Sequence, residues 1–334
     1  MSIAQPSAAF KNKLITTTAT ELLQINFPPI DYVVRGYIAE GLTVLAGRPK
    51  VGKSWMALDL ALAVSLGGKA LGSISVAQAD VLYLGLEDNK RRLQRRIDQL
   101  APRGALPDRL HLAVTCPRLN DGGIEAIEEW CDRVDHPRLI VVDVFGQVRP
   151  ERRQNDSLYD ADYRALSPLK QPADHRELAI LVLHHTNKRD EPEDPFDAVS
   201  GTTGLTGAAD TVLILAKGPQ GPTLYGRGRD IDEVNIALRF NPPTGQWIAL
   251  GDVNEARRTD ERKAILDVLF DAEEPLSPTA IAQETSMKCP NVKKLLGKMV
   301  SAGEVVKLKR GQYCHPKHCP NPPPGHHDHP VTFQ

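Results

Sequence analysis

The 334 residues are enough for about two domains and a sizeable core. The 41 basic and 42 acidic side chains leave a net charge of -1, so global charge argues for no polyanionic partner and only local asymmetry can. No apolar run approaches the roughly 18 residues of a membrane span, the first twenty residues lack the apolar core of a secretory signal, and the five cysteines have no framework spacing. A cytoplasmic, reducing location is expected, with Cys116, Cys131 and Cys289 as free or buried thiols.

Residues 1–28 read as a polar, Thr-rich arm with a short helix at 21–25. Over 29–253, apolar runs at 42–46, 81–86, 139–144, 180–184 and 211–215 alternate with helical segments, the pattern of βα units around a mostly parallel sheet. Most of these runs are too continuously apolar for a sheet with one wet face. After the first run comes Gly47-Arg48-Pro49-Lys50-Val51-Gly52-Lys53-Ser54, which fits G-x-x-x-x-G-K-[ST]. A glycine-rich turn between strand and helix aims backbone N–H groups and the positive helix end at one point, where phosphates sit. Lys53 is expected to reach the β- and γ-phosphates and the Ser54 hydroxyl to hold Mg2+, so residues 47–54 with Trp55 form the predicted ATP cradle.

Residues 224–250 change character. Gly226, Gly228 and Asn241-Pro242-Pro243-Thr244-Gly245 separate β-prone runs and predict antiparallel strands added to the sheet edge. A charged linker is expected at 254–259, then helices at 260–270, 277–285 and 290–302 and a β-ribbon within 304–315, the layout of a small winged helix-turn-helix domain over 260–315. Ser277 and Pro278 supply an N-cap and a first-turn proline, Pro290 suits the first position of the third helix, and Gly303 its C′ residue. Residues 316–334 read as a disordered Pro/His-rich tail.

Two carboxylates join the phosphate loop. Asp143 closes an apolar run, where a parallel strand delivers its side chain to the sheet's C-terminal edge, and is the expected Mg2+ carboxylate beside Ser54. Glu87 holds the matching place after the run at 81–86, where a glutamate can orient and deprotonate an attacking water; its neighbour Asp88 is the rival.

The phosphate loop, the strand ending Leu86-Glu87-Asp88, the strand Val141-Val142-Asp143 and the strand ending His184-His185-Thr186-Asn187-Lys188 together resemble the RecA-fold ATPases of the RepA-type plasmid helicase group, related to DnaB. The resemblance covers about two thirds of the chain. It implies a RecA-like α/β fold, a DNA-stimulated ATPase and helicase or translocase on single-stranded DNA in plasmid or phage replication, and a homo-oligomeric ring such as a hexamer. It also implies Glu87 as the water-polarising base and His184 or His185 as the γ-phosphate sensor. Arg227 and Arg229 have the alternate spacing that puts two side chains on one face of a strand; by themselves they read as a solvated hairpin, and the resemblance makes them a finger completing the next subunit's site.

Two features depart from that family. The loop 188–199 carries Asp190, Glu191, Glu193, Asp194 and Asp197 against Lys188 and Arg189, a poor surface for a polyanion, which leaves Arg149, Arg152 and Arg153 as the better single-strand contacts. The minimal plasmid helicase also has no C-terminal winged helix. Within 286–315 the basic residues are Lys288, Lys293, Lys294, Lys298, Lys307, Lys309 and Arg310 and the sole acid is Glu304, whereas 259–285 has seven acids against Arg262 and Lys263. Charge is thus concentrated where a recognition helix and wing would meet duplex phosphates, with Asn291 near a base edge or capping. These features favour a second reading, a non-motor ATP-gated DNA-binding regulator or recombination accessory protein. A small-molecule phosphotransferase is a weaker third, lacking an obvious lid. Cys314, His315, His318 and Cys319, with His326, His327 and His329, offer zinc-type ligands, but Cys-x4-Cys matches no structural zinc pattern well.

Overall fold

The computed structural model describes residues 16–151, 157–186, 194–198, 203–218 and 221–319. A capping box between Thr18 and Glu21 starts the exposed helix α1 (Ala19–Gln24). A small hairpin, β1 (Tyr32–Val34) and β2 (Ile38–Ala39), precedes β3 (Gly41–Gly47) and α2 (Lys53–Leu66). There follow the hairpin β4 (Lys69–Ala70) and β5 (Ile74–Ser75), then β6 (Asp80–Gly85), α3 (Lys90–Leu100), β7 (Leu110–Ala113), α4 (Ile124–Arg133) and β8 (Pro137–Asp143). Next come α5 (Phe145–Val148), α6 (Leu158–Arg176), β9 (Ala179–His185), α7 (Thr203–Ala208) and the strands β10 (Thr211–Gly218), β11 (Gly221–Gly228), β12 (Val234–Asn241) and β13 (Gln246–Asp252).

Nine strands form one sheet in the order β13-β12-β11-β10-β3-β9-β8-β6-β7. Strands β10, β3, β9, β8, β6 and β7 pair in parallel, and β11, β12 and β13 extend the sheet antiparallel. All five apolar runs lie in the parallel part. They are buried because helices cover both faces: Leu45, Tyr83, Val141 and Leu181 point to the side of α2, and Val44, Leu82, Ile140 and Val182 to the side of α4, α6 and α7. The edge strand β7 has no counterpart in the sequence reading, because four residues interrupted by His111 give no continuous apolar signal.

Helix α2 is apolar on nearly every side. It is clamped between the sheet and the β12–β13 hairpin, where the Trp247 backbone N–H donates to Asp59 Oδ2 at 3.0 Å. A second core unites α8 (Val253–Asp271), α9 (Pro278–Glu284), α10 (Cys289–Ser301) and the ribbon β14 (Val306–Lys309) with β15 (Gln312–Cys314), through Ile265, Leu269, Ile281, Val292, Leu296 and Met299. Residues 254–259, expected as a linker, are instead the first turns of α8, since that charged stretch contains no glycine or proline to end a helix. Ser277 Oγ accepts the Ala280 N–H as an N-cap. Pro290 falls at the second position of α10, after Cys289, rather than the first, and Gly303 follows the C-cap Ala302 at φ +74°. Pro316–His318, expected within the tail, form a short helical turn. Among the described residues no helix is long and apolar enough to cross a membrane.

Candidate nucleotide site

Strand β3 enters the loop at Gly47 and α2 leaves it at Lys53, with Gly52 at φ +108°. Only glycine suits that position on two counts: the backbone is left-handed, and a Cβ would lie 2.6 Å from the Trp247 ring. Arg48, Pro49 and Lys50 are exposed at the tip, Val51 and Gly52 half-buried. The loop sits at the C-terminal edge of the parallel strands, the usual place for a ligand in an open α/β sheet.

Three strands deliver the other groups to this edge. In register, Ala46 and Gly47 of β3 face His184 and His185 of β9, and Gly85 of β6 faces Asp143 of β8. Ser54 Oγ donates to Asp143 Oδ1 at 3.1 Å, and Tyr83 OH donates to Asp143 Oδ2 at 2.7 Å. Both hydrogen bonds favour the carboxylate, but burial outweighs them and holds its pKa above the ordinary range. A divalent cation beside it would relieve that cost. Among the described residues no three His, Cys, Asp or Glu side chains converge on one point, so a cation here would need oxygen ligands from phosphate and water, as Mg2+ takes in nucleotide sites.

Lys53 is 4 % exposed. Its Nζ donates to Gly47 O at 2.7 Å and Arg48 O at 3.0 Å and lies 3.0 Å from His185 Nδ1. Burial lowers its pKa to about 8 against the opposing pull of Asp143 and Glu87. Glu87 lies in the turn after β6, about half exposed, with Oε2 3.9 Å from His185 Nε2. Its rival is otherwise occupied: the Asp88 carboxylate is largely covered and takes Arg92 Nη1 at 2.8 Å and Arg96 Nη1 at 2.5 Å.

Strand alternation separates the two histidines. His185 meets Lys53 and Glu87, while His184 lies on the other face of β9, and burial, with the nearby charges of His185, Arg149 and Lys53, lowers its pKa to about 4. His185 is therefore the histidine at the loop.

Arg227 and Arg229 lie far from this loop. Strand β11 runs antiparallel to β10, so its end reaches the opposite edge of the sheet. Arg227 pairs with Asp194 at 2.7 Å and Glu233 at 3.1 Å and stacks over Phe196. Arg229 lies one residue beyond β11 and pairs with Asp210 at 2.9 Å, a carboxylate that Lys170 also holds at 2.6 Å. The expected common strand face thus becomes two separate ion-pair networks.

Arg149 was expected on a free surface. Its guanidinium is instead ion-paired to the buried Asp162, because α6 packs this residue against the loop after α5. Arg152 and Arg153 lie outside the described residues, as do 188–193 of the acidic loop and His326, His327 and His329. Asn291, Lys293, Lys294 and Lys298 are exposed on α10, and Lys307, Lys309 and Arg310 on the ribbon and its turn. Cys314 and Cys319 are free thiols, and His315 and His318 pack on Phe270. Tyr83, Arg92, Arg96 and Trp247 are contributors that the sequence reading missed. Each has an ordinary local pattern, and only tertiary neighbours give it a place here.

A family model described as an AAA domain matches residues 7–191. Among solved structures, that of an ATPase domain is similar at 14% identity and a TM-score of 0.53, covering 67% of this chain and 93% of that one. A DnaB-like replicative helicase, described with its interactions with primase, is similar at 15% identity and a TM-score of 0.54, covering 70% of this chain and 66% of that one. No curated protein matches the chain.

Proposed function

The chain belongs to the AAA domain family, and from that premise we propose that it is a DNA-stimulated ATP hydrolase of the RepA-like helicase type, acting as a ring on single-stranded DNA. The observation that carries this reading is the convergence of Lys53, Ser54, Asp143, Glu87 and His185 at one sheet edge, with Ser54 Oγ 3.1 Å from Asp143 Oδ1. ATP would lie along residues 47–55. Ser54 and Asp143 would hold Mg2+, which supplies charge neutralisation at the phosphates when bound. Lys53 offsets charge on the β- and γ-phosphates. Glu87 takes a proton from the attacking water, and His185 links Lys53 to Glu87 and senses whether the γ-position is filled.

Arg227 and Arg229 lie too far from the loop to act within one chain, so in this reading a neighbouring copy in the ring delivers them. The exposed Leu22, Leu23, Ile25, Phe27 and Ile30 of the arm also favour contact with a second copy. The fold shared with the solved ATPase domain and with the DnaB-like helicase supports the same reading.

A second reading rests on the C-terminal unit, taken as a winged helix. The exposed lysines of α10 and the β14–β15 ribbon favour duplex binding, so nucleotide could gate a sequence-specific regulator instead of driving a motor. One experiment tests both: ATP turnover without DNA, with single strands and with duplex, each at two salt concentrations. Strong, salt-sensitive stimulation by single strands is expected. Turnover indifferent to single strands, with salt-sensitive duplex binding, would replace the motor by the regulator.

A further inference from the structure

Glu87 is about half exposed, and among the described residues its one ion-pair neighbour, His185, is 3.9 Å away, so little there fixes its side chain. The residue after it is held far more tightly. The Asp88 side chain is 6 % exposed and takes Arg92 Nη1 on one oxygen and Arg96 Nη1 on the other. Arg92 Nη1 also donates to the Glu87 carbonyl at 3.2 Å, so both arginines tie α3 to the turn.

Arg96 does something further. Its guanidinium carbon lies 5.3 Å from the centroid of the Trp55 ring, within cation–π reach, and Trp55 directly follows Ser54. Trp55 is also held by Phe240, whose ring centroid lies 6.1 Å away in an edge-on arrangement, and by Gly245, where a Cβ would collide with the indole. One planar cation thus joins the residue after Glu87 to the residue after Ser54.

We propose that Arg96 is a positioning residue for Glu87, setting the separation between the water-activating carboxylate and the phosphate cradle. The proposal rests on the ATPase reading. A planar fork suits it, because one edge can pair with Asp88 while the face stacks on the indole; lysine can do the first but not the second. Such a brace bears on rate more than on binding, since a misplacement of about 1 Å can cost about 10²-fold in turnover.

The test compares the full chain with Arg96→Gln, Arg96→Lys, Trp55→Leu and the double variant Arg96→Lys/Trp55→Leu, measuring kcat and KM for ATP, affinity for a non-hydrolysable ATP analogue, and Tm. Arg96→Gln is expected to lower kcat by about 10²-fold, with analogue affinity within about threefold of the parent. Arg96→Lys and Trp55→Leu should each lower kcat at saturating ATP, and the double variant should be little worse than either, because both break one link. Unchanged kcat in Arg96→Gln, parallel losses of kcat, affinity and Tm, or additive effects in the double variant would overturn the proposal. If Arg96→Gln does not fold, the cycle of Arg96→Lys and Trp55→Leu decides alone. A folded parent protein that hydrolyses no ATP would sink the ATPase reading itself and this proposal with it, whereas an active parent with an indifferent Arg96 sinks only the proposal.

Discussion

Lys53 is the residue whose chemistry is most shaped by its surroundings. The sheet edge buries it, and burial brings its pKa down to about 8 even though Asp143 and Glu87 favour its charged form. The cation is what phosphates need, so kcat/KM for ATP should fall as pH rises through about 8, the range in which the free protein loses that proton. A profile flat to well above that range would contradict the placement of Lys53 in the site. Lys53→Ala should abolish measurable turnover, and retained turnover would remove the phosphate loop from the chemistry. His184, with its pKa near 4, stays neutral through any such titration. The motif made Lys53 legible from sequence alone, but not its lowered pKa, because desolvation depends on Gly47 O, Arg48 O and His185 closing around Nζ.

At the level of elements, the β12–β13 hairpin acts on α2 through one buried carboxylate. Asp59 is 7 % exposed and accepts the Trp247 N–H, and burial raises its pKa from 3.8 to about 6. Between those values the folded protein holds a proton that the unfolded chain has released, so stability falls as pH rises across the window and the deficit is complete above about 6. Asp59→Asn keeps an acceptor without the charge. It should therefore stabilise the protein by about 1–3 kcal/mol at neutral pH and by nothing below the window, as read by urea unfolding at two pH values. A variant less stable than the parent at neutral pH would show that the hydrogen bond outweighs the desolvation. Sequence periodicity found α2 and the hairpin strands separately. That they clamp one another was not legible, since Asp59 and Trp247 are 188 residues apart.

For the whole molecule, the decisive geometry is that loop and arginines occupy opposite edges of one sheet. If Arg229 serves a neighbour's site, Lys53→Ala and Arg229→Ala are each inactive alone but recover turnover when mixed, because some interfaces then pair an intact loop with an intact arginine. Absence of recovery, with both variants assembled, would confine the site to one chain. Arg229 is suited to such an exchange, since Lys170 still compensates Asp210 after Arg229 leaves. In the C-terminal unit, Lys293→Ala with Lys294→Ala should weaken duplex binding uniformly across sequences and reduce its salt slope by about 2 if both lysines contact phosphates. An unchanged slope would leave this face to another partner.

The sequence by itself determined five of the six parallel strands and placed the Gly47–Ser54 turn, Asp143 and Glu87 at strand ends, because each is written locally: continuous apolar runs signal strands buried on both faces, and the turn and the two carboxylates follow directly where those strands end. Only the tertiary structure decided that His185 and not His184 meets the loop, that Asp88 is spent on Arg92 and Arg96, that Arg149 is tied to Asp162, and that residues 254–259 form helix. These outcomes depend on which side of a strand faces which neighbour and on which charges burial forces to pair, quantities set by residues distant in sequence and brought together only by the sheet.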